Sequence, residues 1–126
     1  MTTALDHMIL SVNDIAQSIA FYRAILGFAD EECAPPFARL RVTREFVLQL
    51  APWGTKGGEH LAFALSRDEF DRVFERIRNA NVPFGDKFDT VGNMRGPGQE
   101  DGARGCATAL YFFDPNRHLL EIRHYE

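Results

Sequence analysis

LDHMILSVNDIAQSIAFYRAILGF, residues 5–28, holds a strand, a capped helix and a helix stop in one run. Leu5 to Val12 alternates as a half-buried strand does, with His7 inside it. Asp14 stands where an N-cap belongs, Ile15, Ile19, Tyr22 and Leu26 recur at helical spacing, and Gly27 supplies the stop. The order returns in EHLAFALSRDEF, residues 59–70. There His60 to Leu65 reads as a strand, Ser66 caps with Glu69 three residues on, and Phe70, Val73, Phe74 and Ile77 form an apolar stripe closed by Asn79 to Pro83.

Shorter strand-like pieces follow each helix. In the first half they are Phe28 to Glu32, Phe37 to Val42 and Phe46 to Leu50; in the second, Pro83 to Phe88, Ala107 to Phe113 and His118 to His124. The order is β-α-β-β-β, twice, so His7 matches His60 and Gln49 matches Glu121. From His7 to Gln49 is 42 residues and from His60 to Glu121 is 61, and the glycine-rich stretch Thr90 to Gly105 accounts for much of the excess as an expected loop. The whole reads as one domain, 1–126, with a first module of about 4–55 and a second of about 56–126.

Strand parity sorts the side chains. Met8, Leu10 and Val12 are uniformly apolar and belong beneath the first helix, which leaves His7 on the opposite face. The same rule puts Leu61, Phe63, Leu120 and Ile122 under the second helix, and His60, Glu121 and Arg123 on the face away from it. Gln49 likewise falls on the helix-free side. Sheet twist curves such a face into a cleft.

Two imidazoles and a carboxylate can hold a divalent metal and leave positions open for chemistry. Glu121 in an apolar strand needs a partner, because an unpaired buried carboxylate is costly. A metal is one answer; pairing with Arg123 or Arg41, with both histidines as ordinary strand residues, is the other. Gln49 is a weaker fourth ligand candidate. Tyr111 lies opposite Glu121 if Pro115-Asn116-Arg117 is a hairpin loop, and its phenol is then a catalytic candidate; a core aromatic is the alternative. His118 and His124 read as turn-stabilising or solvent-facing. Arg95 or Arg104, in the expected loop, could reach an anionic substrate as part of a lid, or the loop is a plain surface one.

Composition narrows the partners. Hydrophobic residues make up 45% and charged residues 25% of 126 residues, an ordinary globular balance, with a formal charge of −4. No basic run marks a nucleic-acid footprint, and no apolar stretch is long enough for a membrane span. Cys33 and Cys106 stand alone with no secretory signal ahead of them, so a soluble cytoplasmic protein with inert thiols is expected.

LDHMILSVNDIAQSIAFYRAILGF, EHLAFAL and LYFFDPNRHLLEI together resemble the vicinal oxygen chelate superfamily, which includes glyoxalase I, extradiol dioxygenases, fosfomycin-modifying thiol transferases and bleomycin-resistance proteins. The resemblance implies an α+β fold in which paired βαβββ modules form a U-shaped mixed sheet around a metal cleft, helices outside. It assigns His7, His60 and Glu121 as ligands of a divalent metal ion (Fe2+, Mn2+, Ni2+ or Zn2+) and implies a homodimer acting on a small oxygen-chelating substrate. Gln49 replaces the additional carboxylate of glyoxalase I. The extradiol dioxygenases come first, because of Tyr111 and eleven phenylalanines. A glutathione or thiol transferase, a glyoxalase-type lyase and a metal-free binding protein are the alternatives.

Overall fold

The computed structural model describes residues 2–126. Packing divides the chain into two compact units, the first reaching Lys56 and the second running from Gly57 to Glu126. Unit 1 comprises β1 (His7–Ser11), α1 (Ile15–Phe21), β2 (Ala29–Glu31), β3 (Ala38–Thr43) and β4 (Phe46–Ala51). Unit 2 comprises β5 (His60–Ala64), α2 (Arg67–Asn79), β6 (Phe84–Gly85), β7 (Gly98–Gly102), β8 (Gly105–Phe113) and β9 (Leu119–His124).

Each unit carries its own mixed sheet, ordered β1-β4-β3-β2 and β5-β9-β8-β6, with β7 added on β8. In both, the first strand runs parallel to the last and every other pairing is antiparallel. The registers correspond. His7 pairs with Val47, so Gln49 lies two residues beyond its partner; His60 pairs with Leu119, so Glu121 lies two beyond its own.

Local chemistry sets the helices. The Asp14 carboxylate accepts from the Gln17 N–H at 2.9 Å, and the Ser66 hydroxyl accepts from the Glu69 N–H at 3.1 Å, which satisfies amide donors with no intrahelical partner. In α2, acidic Asp68 and Glu69 lie in the first turn and basic Arg76 and Arg78 in the last, matching the helix dipole. The first helix departs from the expected stripe. It widens into a π-helical turn over Tyr22–Leu26 before Gly27 ends it at φ 75°, and Ser18, Tyr22, Ile25 and Leu26 are the buried residues. Ile15 and Ile19 are only half-buried.

The cores follow parity. In unit 1 Leu10, Val12, Leu40, Leu48 and Leu50 are closed off from solvent, and Tyr22 stacks on Phe28 at 6.2 Å between ring centroids. In unit 2 Phe70, Val73 and Ile77 of α2 are buried with Leu110, Phe112, Leu120 and Ile122 of the sheet. His124 shares their parity. It is buried with its ring edge-on to Phe70 at 4.8 Å, which corrects the expectation of a solvent-facing residue near the chain end. His118 is buried too: its backbone N–H donates to Asp114 Oδ1 at 2.9 Å within the turn, and its Nδ1 accepts from the Glu59 N–H at 3.2 Å, just ahead of β5.

The stretch from Thr90 to Gly105 is not a single loop. Gly98–Gly102 forms β7, and β8 begins at Gly105, two residues before the expected start. GQEDG has no apolar alternation to betray a strand; its ladder to β8, from Gly98 opposite Ala109 to Gly102 opposite Gly105, makes it one. Among the described residues, no helix is long and apolar enough to cross a membrane.

Removing the side chain of Leu120, closed off from solvent between sheet and helix, is expected to lower unfolding free energy by roughly 2–5 kcal/mol. Ser66→Ala should lose about 1 kcal/mol, through the unbonded Glu69 amide. Urea denaturation of both variants checks the ranking, and equal losses would contradict it.

Candidate functional site

In unit 2 the helix-free face of the sheet gathers His60, Glu121, Arg123 and Tyr111. Glu121 pairs with Ala62 on one side and with Tyr111 on the other. His60 is therefore its diagonal neighbour across the parallel ladder, and His60 Nε2 comes to 3.0 Å from Glu121 Oε1. The second carboxylate oxygen, Oε2, accepts from Arg123 Nη1 at 2.5 Å. Glu121 is 3% exposed and Arg123 5%, so the pair is buried, while the His60 side chain is 46% exposed and opens the site to solvent.

Arg123 does more than balance charge. Its Nη2 donates to the carbonyls of Glu100 at 3.1 Å and Gly105 at 3.4 Å, and Nη1 to that of Asp101 at 3.4 Å. A Cβ on Gly102 would stand 2.3 Å from Nη2, so this hairpin position admits the guanidinium because it has no side chain. The β7–β8 hairpin thus clasps the arginine that orients the carboxylate.

Tyr111 is 1% exposed and donates to Glu121. Burial, and then the charge of Glu121, push its pKa well above the ordinary tyrosine value. It keeps its proton through the neutral range. Its ring centroid lies 6.1 Å from that of His60.

In unit 1 the corresponding face carries His7, Gln49, Arg39 and Arg41. His7 Nδ1 bonds Asp6 Oδ2 at 2.7 Å, and with Nδ1 as the donor Nε2 keeps a lone pair for a ligand. Gln49 pairs with Ile9 and with Arg39. Arg41 is bound to Glu31, so it is not the partner of Glu121. Arg104, considered for a substrate-reaching lid, instead lies over the Tyr125 ring at 4.2 Å. Cys33 and Cys106 are unpaired thiols.

Among the described residues, no group of three or more His, Cys, Asp and Glu side chains is placed to hold a metal ion. Unit 2 supplies an imidazole nitrogen and a carboxylate oxygen aimed at each other, a donor pair suited to a borderline divalent cation. The oxygen turned away is held by a cation, as the outer partner of a ligating carboxylate is. By the chemistry of these donors, His60 and Glu121 are the residues of unit 2 that would hold a divalent metal.

Sequence reasoning assigned no role to Asp6 and named Arg123 only as an alternative partner for Glu121. The signals were present: an acidic residue directly before His7, and an arginine of the same parity as Glu121. The bracket of Glu100, Asp101 and Gly105 carbonyls had no such signal, because it depends on β7.

Two units of β-α-β-β-β order, the second with β7 added, each showing a first-strand histidine on a helix-free sheet face, define the α+β class built from repeated βαβββ modules. The chain belongs to the Glyoxalase/Bleomycin resistance protein/Dioxygenase superfamily, whose family model matches residues 4–122. It is 30% identical over 134 residues to Virulence protein STM3117 of Salmonella typhimurium strain LT2, covering 96% of this chain and 83% of that one. It is 24% identical over 131 residues to Glutathione transferase FosA of Serratia marcescens, covering 97% and 81%. The solved structure of Oxidase ChaP-H2 matches with a TM-score of 0.78 and 31% identity, across 100% of this chain and 96% of that one.

Arg123→Met leaves the buried Glu121 without its cation and is expected to destabilise the fold by roughly 3–5 kcal/mol, read by urea denaturation. In an alkaline titration followed by tyrosinate absorbance, Tyr111→Phe should match the wild type through the ordinary tyrosine value of 10.0, since Tyr111 does not ionise there. A tyrosinate signal lost in the variant near that pH would contradict the burial argument.

Proposed function

We propose that the protein is a divalent-metal-dependent enzyme of this superfamily acting on a small substrate through its oxygen atoms. His60 and Glu121 hold the metal in unit 2, and His7 completes the set. Gln49, at the position equivalent to Glu121, is proposed as a fourth ligand through its amide oxygen; a neutral amide binds a divalent ion more weakly than a carboxylate does. The observation that carries this reading is the 3.0 Å approach of His60 Nε2 to an oxygen of a carboxylate that is 3% exposed.

Lewis-acid polarisation of substrate oxygens is the chemistry a bound divalent ion supplies at such a site. The chain's own residues do the rest. Arg123 fixes the orientation of Glu121, and Asp6 selects the His7 tautomer that leaves Nε2 available. Tyr111, hydrogen-bonded to Glu121, is the catalytic candidate: its phenol would turn from the carboxylate to a substrate oxygen and donate a hydrogen bond there.

Oxidation of an oxygen-chelating, catechol-like substrate is the preferred reaction. It is supported by 31% identity to a structure named as an oxidase and by the tyrosine paired with the ligand carboxylate. Thiol transfer is the second reading, favoured by the likeness to Glutathione transferase FosA and to Metallothiol transferase FosB of Lysinibacillus sphaericus over 97% and 94% of the chain. A homodimer inside the cell is the assembly and compartment we propose with either.

Anaerobic reconstitution with Fe2+, Mn2+, Ni2+ or Zn2+ should load about one metal per chain, and His60→Ala or Glu121→Ala should reduce affinity by a factor of ten or more, on the order of lost ligation. Metal content by mass spectrometry reads the first and competition with a chelating dye the second. Wild-type protein that takes up no metal would reject the enzyme reading and leave a metal-free binding protein. Loaded protein is then screened on catechols with dioxygen and on epoxides or α-ketoaldehydes with a thiol. Turnover of catechols without thiol is expected, and turnover only with thiol would move the assignment to the second reading.

A further inference from the structure

The internal repeat gives the unit 2 site a counterpart, residue by residue. Glu121 lies two positions beyond the partner of His60 and opposite Tyr111. Gln49 lies two positions beyond the partner of His7 and opposite Arg39. Arg39 is therefore the unit 1 equivalent of Tyr111, with a fixed positive charge where unit 2 has a phenol.

The face around it is hollow. A cavity of about 360 Å³ is lined by Asp6, His7, Arg39, Arg41, Glu45, Val47 and Gln49. Its two guanidinium groups differ in what they hold. Arg41 is saturated: Nε and Nη2 donate to the two oxygens of Glu31 at 3.1 and 3.0 Å, and Nη1 reaches the carbonyls of Thr43 and Arg44. Arg39 makes no ion pair among the described residues, and its Nε is buried without an acceptor. Its ladder partner Glu31 is already taken by Arg41. A half-buried cation with an unmet Nε–H, on the same face as a histidine, suits an oxyanion, because a charge-assisted bond would satisfy a donor that folding leaves unmet.

We propose that this cavity is a carboxylate subsite: Arg39 takes a planar carboxylate of the substrate, while the substrate's other oxygens extend toward His7 past Gln49. The proposal rests on the metal-enzyme reading only for His7; the subsite itself stands on Arg39. Arg39 and His7 are two strands and two residues apart, roughly 12 Å between Cα atoms by sheet geometry. A hydroxylated benzoate or a short 2-oxo acid spans that gap once both side chains reach inward, and Val47 offers apolar contact between them. Charge selects a carboxylate over a phosphonate or phosphate. One guanidinium without an ion-pair partner matches a monoanion, whereas the Asp6 and Glu45 carboxylates that also line the cavity repel a dianion more strongly.

The test uses the full chain kept metal-free with a chelator, titrated with benzoate, with benzamide as its neutral isostere, and with phenylphosphonate. Calorimetry gives affinity and amide NMR shifts give location. Benzoate is expected to bind with shifts at Arg39, Val47 and Gln49, and the other two at least about tenfold more weakly. Arg39→Met should abolish benzoate binding while melting no lower than the wild type, since an unpartnered buried nitrogen is removed, and Arg39→Lys should retain part of the affinity. Equal binding of benzoate and benzamide, tighter binding of phenylphosphonate, or benzoate affinity that survives Arg39→Met overturns the subsite. Metal uptake is measured on separate aliquots of the same preparation, after the chelator is removed and the protein is reconstituted anaerobically. Wild type that binds benzoate but takes up no metal sinks the enzyme reading alone, and metal uptake without benzoate binding sinks the subsite alone.

Discussion

A carboxylate buried in the middle of a sheet sets the terms for everything around it in unit 2. Glu121 has two oxygens to satisfy away from water, and an uncompensated charge there would cost several kcal/mol. Strand periodicity places Arg123 on the same face, two residues on, and the side chain folds back onto Oε2. That leaves Oε1 for the half-exposed His60. One oxygen is thus held by the fold, and the other is turned to the open face.

The same constraint explains the β7–β8 hairpin. A guanidinium as buried as that of Arg123 needs more acceptors than one carboxylate oxygen, and the carbonyls of Glu100, Asp101 and Gly105 provide them. Gly102 leaves the necessary gap. A segment with no hydrophobic pattern of its own is held in the sheet partly by the residue that positions the candidate ligand, so hairpin and site are mechanically joined.

The two modules share a register but have diverged in chemistry. Both keep a histidine on the first strand and a polar residue two places beyond its partner on the last. Unit 2 pairs its glutamate with a tyrosine; unit 1 pairs its glutamine with an arginine. Of the two equivalent positions only Glu121 carries a charge, and it is the one paired with a half-exposed imidazole; Gln49 is neutral beside a guanidinium. The chain matches Glutathione transferase FosA and Oxidase ChaP-H2 over nearly its whole length, so one frame serves proteins named for different reactions.

Periodicity, caps and parity were readable from the chain alone, because they depend on neighbours a few residues away. The alternation of Leu5 to Val12, the caps at Asp14 and Ser66, the doubled β-α-β-β-β order and the helix-free placement of His60 and Glu121 all follow from local backbone geometry. The pairing of Tyr111 with Glu121 followed from the length of one hairpin loop. What needed the folded structure depends on distant partners: the π-helical turn that buries Ile25 with Leu26, the strand hidden in GQEDG, the burial of His124 against Phe70, and the contrast between a saturated Arg41 and an unmatched Arg39. A strand without apolar alternation is made by its ladder partner, and whether a charge is satisfied is decided by which acceptors packing brings to it, so neither is written in the order of residues along the chain.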